Sequence, residues 1–443
     1  MATALPASSD CPSAMNSSAL AKGSAGAAAT PDRSRWMLVT GVIAIVLVGL
    51  NLRAGIAGAS TLFHDLQQLL GYGALVAAIL PSIPTLCFAL AGAATPLLTR
   101  RIGVEKSILF ALALLTAGLL VRGIPTTGML VLGTVVGMSG LAICNVAMPS
   151  LIREHFARRT SMMTALYTVS MTGGATAFSM AMVPLSQQLG SPSLGIGALG
   201  LVAAAAFLAF LPVVLQNRRA QSAEPRQHVS PWPLLRTRQG ILLTGIFTLQ
   251  ALLAYAVMSW FPYILTTQGL GASESGILFG LLQLISVPAG MVLLAIGSRP
   301  SRTRLGMYLA SVSMVLGLAL MLFTPPALAA VPAVLLGVGL GIFPLVMVLI
   351  SRSGTSTAET TAMSTLAQSV GYFFATVGPF GMGLLHAATG GWTLPFVLLL
   401  AVAFGLVAVG HLLTAGNRKS GSQDSVRQAS WQNILPSSTR STK

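Results

Sequence analysis

Charge is what this 443-residue chain has least of: 8% of its residues are charged, against about 25% in a soluble globular protein. Acids are scarcer than bases, with nine Asp and Glu facing 25 Lys and Arg. A chain so poor in polar groups cannot cover a water-facing surface. Its 54% hydrophobic content and mean hydropathy of +0.81 put most of it in lipid. Cysteine is equally sparse, and Cys11, Cys87 and Cys144 form neither a disulfide framework nor a metal-ligand spacing. No phosphate-binding loop is present, and Ser, His and Asp never collect in a catalytic arrangement. No cofactor, metal or enzymatic activity is therefore expected. The formal charge of +16 lacks the basic stripes with interleaved aromatics that would point to nucleic acid.

What is present is a series of long apolar runs. Segments such as Trp36–Leu50 and Phe396–Leu413 do not alternate as barrel strands would. In lipid a backbone must satisfy its own hydrogen bonds, so these runs predict helices. Windows of about 20 apolar residues place twelve spans near 37–64, 74–98, 105–122, 128–151, 161–185, 194–215, 241–267, 274–297, 305–323, 327–350, 361–386 and 393–414. The expected fold is an all-α polytopic membrane protein with twelve transmembrane helices in two six-helix bundles.

The basic residues test this count, because cytoplasmic loops retain Lys and Arg. Alternate connections hold 23 of the 25, and the opposite connections hold none. Only Arg53 and Arg122 fall within or at the end of a span. A miscount by one helix would scramble the alternation. The pattern predicts a multi-pass protein of the inner or plasma membrane with both termini cytoplasmic. Residues 1–36 lack the apolar core of about 7–15 residues that a signal peptide needs. They read as a disordered cytoplasmic tail, as do residues 415–443. Between bundles 37–215 and 241–414, residues 216–240 carry five arginines and three prolines and read as a cytoplasmic linker.

A shift of about 200 residues lays Thr160–Thr176 over Thr360–Thr376, with Thr160/Thr360, Met163/Met363, Leu166/Leu366, Ala175/Ala375 and Thr176/Thr376 identical. Such duplication is common among transport proteins. Together with the six-plus-six count it favours a duplicated bundle, and a functional monomer is expected.

Ionisable residues inside a membrane are functional candidates, because burying them is expensive. Arg53 is the one charge placed well inside a span, about 17 residues or roughly 25 Å along the first helix. With no acid in any span centre, its guanidinium needs an anion, carbonyls or water. The reading is that Arg53 binds an anionic or electron-rich solute in a central cavity. The competing reading is an arginine that snorkels outward or ties helices together. Asn51 lies about 200° around the helix from Arg53, so one faces the cavity while the other bonds a neighbouring helix. Arg53 is favoured for the cavity. Further candidates are Asn145 beside Pro149, where the helix looks locally opened, Gln250 and Tyr255, Gln283, and Gln368 with Tyr372 one turn on. Each could instead make an interhelical hydrogen bond. Trp392 reads as an interfacial anchor, and His64 and His386 are rim groups that leave a coupling proton open.

These residues resemble a known family. Gly49–Arg53 (GLNLR) is similar to the Asn-Leu-Arg element of the cyanate permease and 2-nitroimidazole transporter family of the major facilitator superfamily. The likeness continues through Leu80–Phe88 (LPSIPTLCF), Asn145–Pro149 (NVAMP), Gln250–Tyr255 (QALLAY), Ser259–Pro262 (SWFP), Ala367–Tyr372 (AQSVGY) and Gly378-Pro379. The resemblance implies a twelve-helix secondary transporter moving a small anion or nitrogenous solute by alternating access: cyanate-like, a small carboxylate or nitroimidazole-like. Ala54 stands where family members often carry proline, which predicts a different bend in the first span. Arg100-Arg101-Ile102-Gly103 lacks the Asp usual in the loop between spans two and three. The alternatives are a drug or metabolite efflux porter of the same fold and a non-transporting membrane sensor.

Overall fold

The computed structural model describes residues 31–216, 232–299, 301–354 and 356–432. Residues 1–30 and 433–443 of the two expected tails, and residues 217–231 of the expected linker, lie outside them. The described chain is helical, running through α1 (Pro31–Ser60), α2 (Phe63–Leu70), α3 (Ala74–Ile79), α4 (Ile83–Ile102), α5 (Val104–Val121), α6 (Thr127–His155), α7 (Thr160–Gln188) and α8 (Pro192–Gln216). It continues with α9 (Arg238–Thr267), α10 (Ala272–Gly297), α11 (Thr303–Phe323), α12 (Ala330–Leu340), α13 (Phe343–Ser351), α14 (Thr357–Ala375), α15 (Val377–Thr389) and α16 (Thr393–Gln432).

Three pairs act as single spans: α3 with α4, α12 with α13, and α14 with α15. Counting them so gives the twelve-helix fold, with α2 as a short rim helix. Ten of these spans, among the described residues, are long and apolar enough to cross a membrane. The other two, α7 and α14–α15, carry rows of hydroxyls and amides that lower their hydropathy.

Local chemistry sets the helix ends. Thr126, Thr237 and Ser356 cap α6, α9 and α14 by accepting the backbone N–H three residues on. Gly71 and Gly390 close α2 and α15 at φ 62° and 67°, where a side chain would be strained. Prolines inside α4, α6, α7, α8, α9 and α10 leave those helices unbroken.

Several boundaries correct the expectations. The first predicted span stops at Ser60, and residues 63–70 form the separate α2. The span predicted at 327–350 breaks between Leu340 and Phe343, beside Gly341. A Cβ at Gly341 would come within 2.7 Å of Gly290 N. The span at 361–386 breaks at Thr376, just before Gly378-Pro379. Around Asn145 the predicted opening is absent, since α6 runs continuously through Asn145 and Pro149. α1 is equally unbroken across Ala54, and α16 stays helical to Gln432.

In the first half α1 packs on α7 and α8, and α5 on α6. In the second, α9 packs on α14 and α11 on α12 and α16. The halves meet where α7 lies against α10, α4 against α14, and α3 against α15. Each half is tied within itself at its arginine-rich end. His155 Nε2 lies 2.9 Å from Glu105 Oε1, and Arg352 donates to Ser298 O at 2.8 Å.

Candidate functional site

Four helices expose matching stripes that run inward from the arginine-rich end. On α1, Val39 and Ile43 are exposed and Val46, Leu50 and Arg53 half-buried, after which every residue from Ala54 to Phe63 is buried. On α9, Ile241 is exposed and Gly245, Thr248, Leu252 and Tyr255 half-buried, after which residues 256–262 are buried. Steps of four and three residues keep each stripe on one helix face. The two stripes coincide under a shift of 202 residues, pairing 39 with 241, 43 with 245, 46 with 248, 50 with 252 and 53 with 255. Arg53 and Tyr255 are thus equivalent positions at the inner end of one opening.

The stripes on α7 and α14 are polar. Ser161, Thr164, Thr168 and Thr172 on α7 correspond to Thr361, Ser364, Gln368 and Tyr372 on α14. Thr168 bonds back to Thr164 O at 2.9 Å, and Gln368 donates to Ser364 Oγ at 2.8 Å. These hydroxyls explain why both helices are too polar to register as spans by composition.

At the inner end Arg53 stands among tyrosines. Tyr255 and Tyr372 meet edge-on, with ring centroids 5.9 Å apart, and Arg53 lies within electrostatic reach of both and of Tyr167. Phe88 of α4 stacks on Tyr372, with ring centroids 5.1 Å apart and planes at 28°, and lies 5.9 Å from Tyr255. Phe247 meets Tyr372 edge-on at 5.1 Å. Apart from Asp32 and Glu359 in their first turns, α1, α4, α7, α9 and α14 contain no acid. A guanidinium among aromatic rings, with no carboxylate on these helices, can donate hydrogen bonds to an anion or to another electron-rich group.

The predicted residues divide. Arg53, Tyr255 and Tyr372 come together, and Gln368 lies one turn below Tyr372. Asn51 is turned away: its amide donates to Leu47 O at 2.8 Å and to Val202 O of α8 at 3.2 Å. Gln250 is buried five positions before Tyr255 on an unbroken helix, so the two face different ways. Asn145 is half-buried on α6. Gln283 is fully buried on α10, with neither amide atom hydrogen-bonded.

Sequence reasoning passed over two residues of this cluster and one buried arginine outside it. Tyr167 is buried with its hydroxyl unpartnered, and its place in the repeated stretch was the available signal. Phe88 sits in an apolar run and looks like ordinary core. Arg122 reads as a rim residue, yet it is 1% exposed and donates to Gly55 O of α1 at 3.2 Å, with its Nε unpartnered.

The end poor in arginine is sealed. Tyr263 of α9 donates to Gln67 Oε1 of α2 at 2.9 Å, and Ser259 to Pro81 O at 3.4 Å. Trp260 donates to Pro379 O at 2.8 Å. Trp392 is no isolated interfacial anchor: it packs on Trp260, Tyr263 and His386, the last stacked at 3.9 Å. His64 packs edge-on against Tyr263. Glycine permits the seal, because a Cβ at Gly276 would lie 2.7 Å from Ser179 O, and one at Gly383 would lie 2.8 Å from Ala78.

Residues 37–376 match the description of the Major Facilitator Superfamily. The 2-nitroimidazole transporter of Escherichia coli K12 is 30% identical over 397 residues, covering 85% of this chain and 96% of the relative. The cyanate transport protein CynX of the same organism is 24% identical over 370 residues, covering 83% and 95%. Among solved structures, the nucleoside transporter NupG superposes with a TM-score of 0.67 at 12% identity, covering 86% of this chain and 98% of that one.

Proposed function

The chain belongs to the Major Facilitator Superfamily, beside the 2-nitroimidazole and cyanate transporters, and from that premise we propose that it carries a small planar anion or electron-poor nitrogenous ring. It is a secondary transporter of a small molecule. The observation that supports the substrate class is Arg53 held among Tyr167, Tyr255 and Tyr372 without a carboxylate. A delocalised anion would accept from the guanidinium while its plane lay against Phe88 and the tyrosines. Cyanate and a small carboxylate supply the charge, and a nitroimidazole supplies the plane together with nitro oxygens that accept from the guanidinium. The stacked pair Phe88 and Tyr372 favours a ring over a linear ion.

In this reading the arginine-rich end faces the cytoplasm, as the retention of basic loops requires. The two bundles, 37–215 and 241–414, rock about the site so that the sealed end opens as the other closes. The protein works as a monomer.

The test is flux into proteoliposomes of labelled cyanate, acetate and 2-nitroimidazole, with external pH varied and Arg53→Ala as comparison. Uptake of at least one of these by the natural protein, and its loss in an Arg53→Ala protein that still reaches the bilayer, is expected. Undiminished uptake by that variant would remove Arg53 from the site.

A further inference from the structure

Arg53 is bracketed from behind by two hydrogen bonds that the site itself does not use. Asn51 and Gly55 stand two residues to either side of it on the unbroken α1. Four residues apart, they share one helix face, about 200° around from Arg53. Each is bonded to a different neighbour. Asn51 is 2% exposed, and its amide donates to Leu47 O within α1 at 2.8 Å and to Val202 O of α8 at 3.2 Å. The Gly55 carbonyl accepts from Arg122 Nη1 at 3.2 Å, a side chain that starts just beyond the end of α5.

An arginine at the end of a span ordinarily reaches out to water, and burying it is expensive. Arg122 instead lies inside, 1% exposed, with its stem across Gly133 of α6, where a Cβ would come 2.8 Å from Arg122 Cγ. At Gly118 a Cβ would lie 2.2 Å from Gly137 N, so glycines shape the slot between α5 and α6. No charge pairing accounts for its place. The acids of α1, α5 and α6, namely Asp32, Glu105 and Glu154, are all at the arginine-rich end, and α8 has none.

The fold does not require these bonds either. Under the shift of 202 residues that superposes the stripes of α1 and α9, Asn51 corresponds to Leu253 and Gly55 to Val257. Both are buried and apolar behind Tyr255. The polar pair occurs only behind the long, flexible arginine.

We propose that Asn51 and Arg122 are positioning residues, which fix the rotation and depth of α1 and so hold the Arg53 guanidinium at the inner end of the opening. A helix bonded at one point can pivot there. Two bonds one turn apart, to α8 and from the end of α5, prevent it. This role rests on the reading of Arg53 as the partner of the cargo.

The test is labelling with N-ethylmaleimide of the full chain in bilayers, with Cys11, Cys87 and Cys144 replaced. Leu50→Cys, on the open stripe, should react, and Leu52→Cys, 3% exposed and about 200° around from it, should not. Asn51→Leu and Arg122→Met should each shrink the ratio of the two rates several-fold, and Arg122→Lys, able to donate to Gly55 O again, should restore part of it. Leu112→Ala, which opens a cavity in the core of α5, should lower the melting temperature and leave the ratio unchanged. In uptake, Asn51→Leu should raise the apparent KM by about tenfold with kcat less affected. An unchanged ratio in both Asn51→Leu and Arg122→Met would overturn the proposal, as would an unchanged KM or an equal fall of the ratio in Leu112→Ala. If Arg122→Met fails to fold, Asn51→Leu and Arg122→Lys carry the comparison. Labelling needs no cargo, so its failure is distinct from undiminished uptake by Arg53→Ala, which would overturn the reading of the site.

Discussion

Arg53 and Gln283 are both polar groups in an apolar setting, and their surroundings distinguish them. Arg53 is half-buried at the end of an accessible stripe, so water or a solute reaches it. Charge-assisted bonds to such a group contribute about 1.5–3 kcal/mol, or roughly ten- to a hundredfold in affinity. Arg53→Lys keeps the charge and loses the fork, so it should raise the apparent KM for uptake by about tenfold with kcat less affected. Concentration-dependent uptake checks this, and an unchanged KM would argue against a bidentate contact. Gln283 has no such access, and an unpartnered buried amide costs about 1–3 kcal/mol. Gln283→Met should therefore raise the thermal stability of the purified protein. If the amide is retained for transport, uptake falls in the same variant. A lower melting temperature would show that the amide has a structural partner after all.

At the scale of elements, the sealed end depends on close approach of α3 to α15 and of α2 to α9. Gly383→Val puts a branched side chain where even a Cβ would lie 2.6 Å from the Trp260 ring. The seal should loosen. A cysteine placed at Gln67 in a cysteine-free background should then react faster with a membrane-impermeant thiol reagent, and an unchanged rate would mean that α15 is not part of the barrier.

The same rim half-buries Asp65, and this burial raises its carboxyl above the usual value, with His64 opposing by a smaller amount. A carboxyl whose pKa is raised on folding favours the folded, sealed form when protonated. That contribution is present at acid pH and is lost as pH rises through the raised value. Asp65→Asn should remove it, so the variant's melting temperature should change less than the natural protein's as pH falls from 7 toward 4. Parallel profiles for the two proteins would exclude Asp65 from the rim's stability.

Across the whole molecule, most of the architecture was legible because lipid restricts the options: apolar runs must be helices, and basic loops must alternate. Even α7 and α14, too polar to stand out by composition, were recoverable because Arg153 and Arg352 mark where they begin. The breaks at Gly341 and Thr376 were hidden, since they follow from packing between helices and not from local sequence. In the site, Arg53 announced itself as a charge without a loop to explain it. Tyr255 and Tyr372 were nameable, but their meeting across two halves was not. Helix geometry separates Asn51 from Arg53 and Gln250 from Tyr255: Asn51, about 200° around α1, bonds Leu47 and Val202 instead, and Gln250 faces elsewhere on the unbroken α9. Arg122 was misread because a span's last residue is normally wetted, and here α1 and α6 cover it.

The halves are held to each other by side chains at one end, so the linker need not be continuous. Residues 1–225 and 226–443 expressed together as separate chains should copurify and restore uptake, and failure to associate would give the linker a structural role.

The shared stripe of α1 and α9 has a further consequence. Duplication preserved the geometry of positions 53 and 255 while giving one a cation and the other a phenol. A solute seated between them is therefore unequally owned: it leans on the first half by charge and on the second by weaker, shorter-ranged contacts. On the proposed reading of the site, the weaker hold would break first as the halves part and the cargo would stay with the first half until water reached Arg53, so that hydration of a single guanidinium would time release.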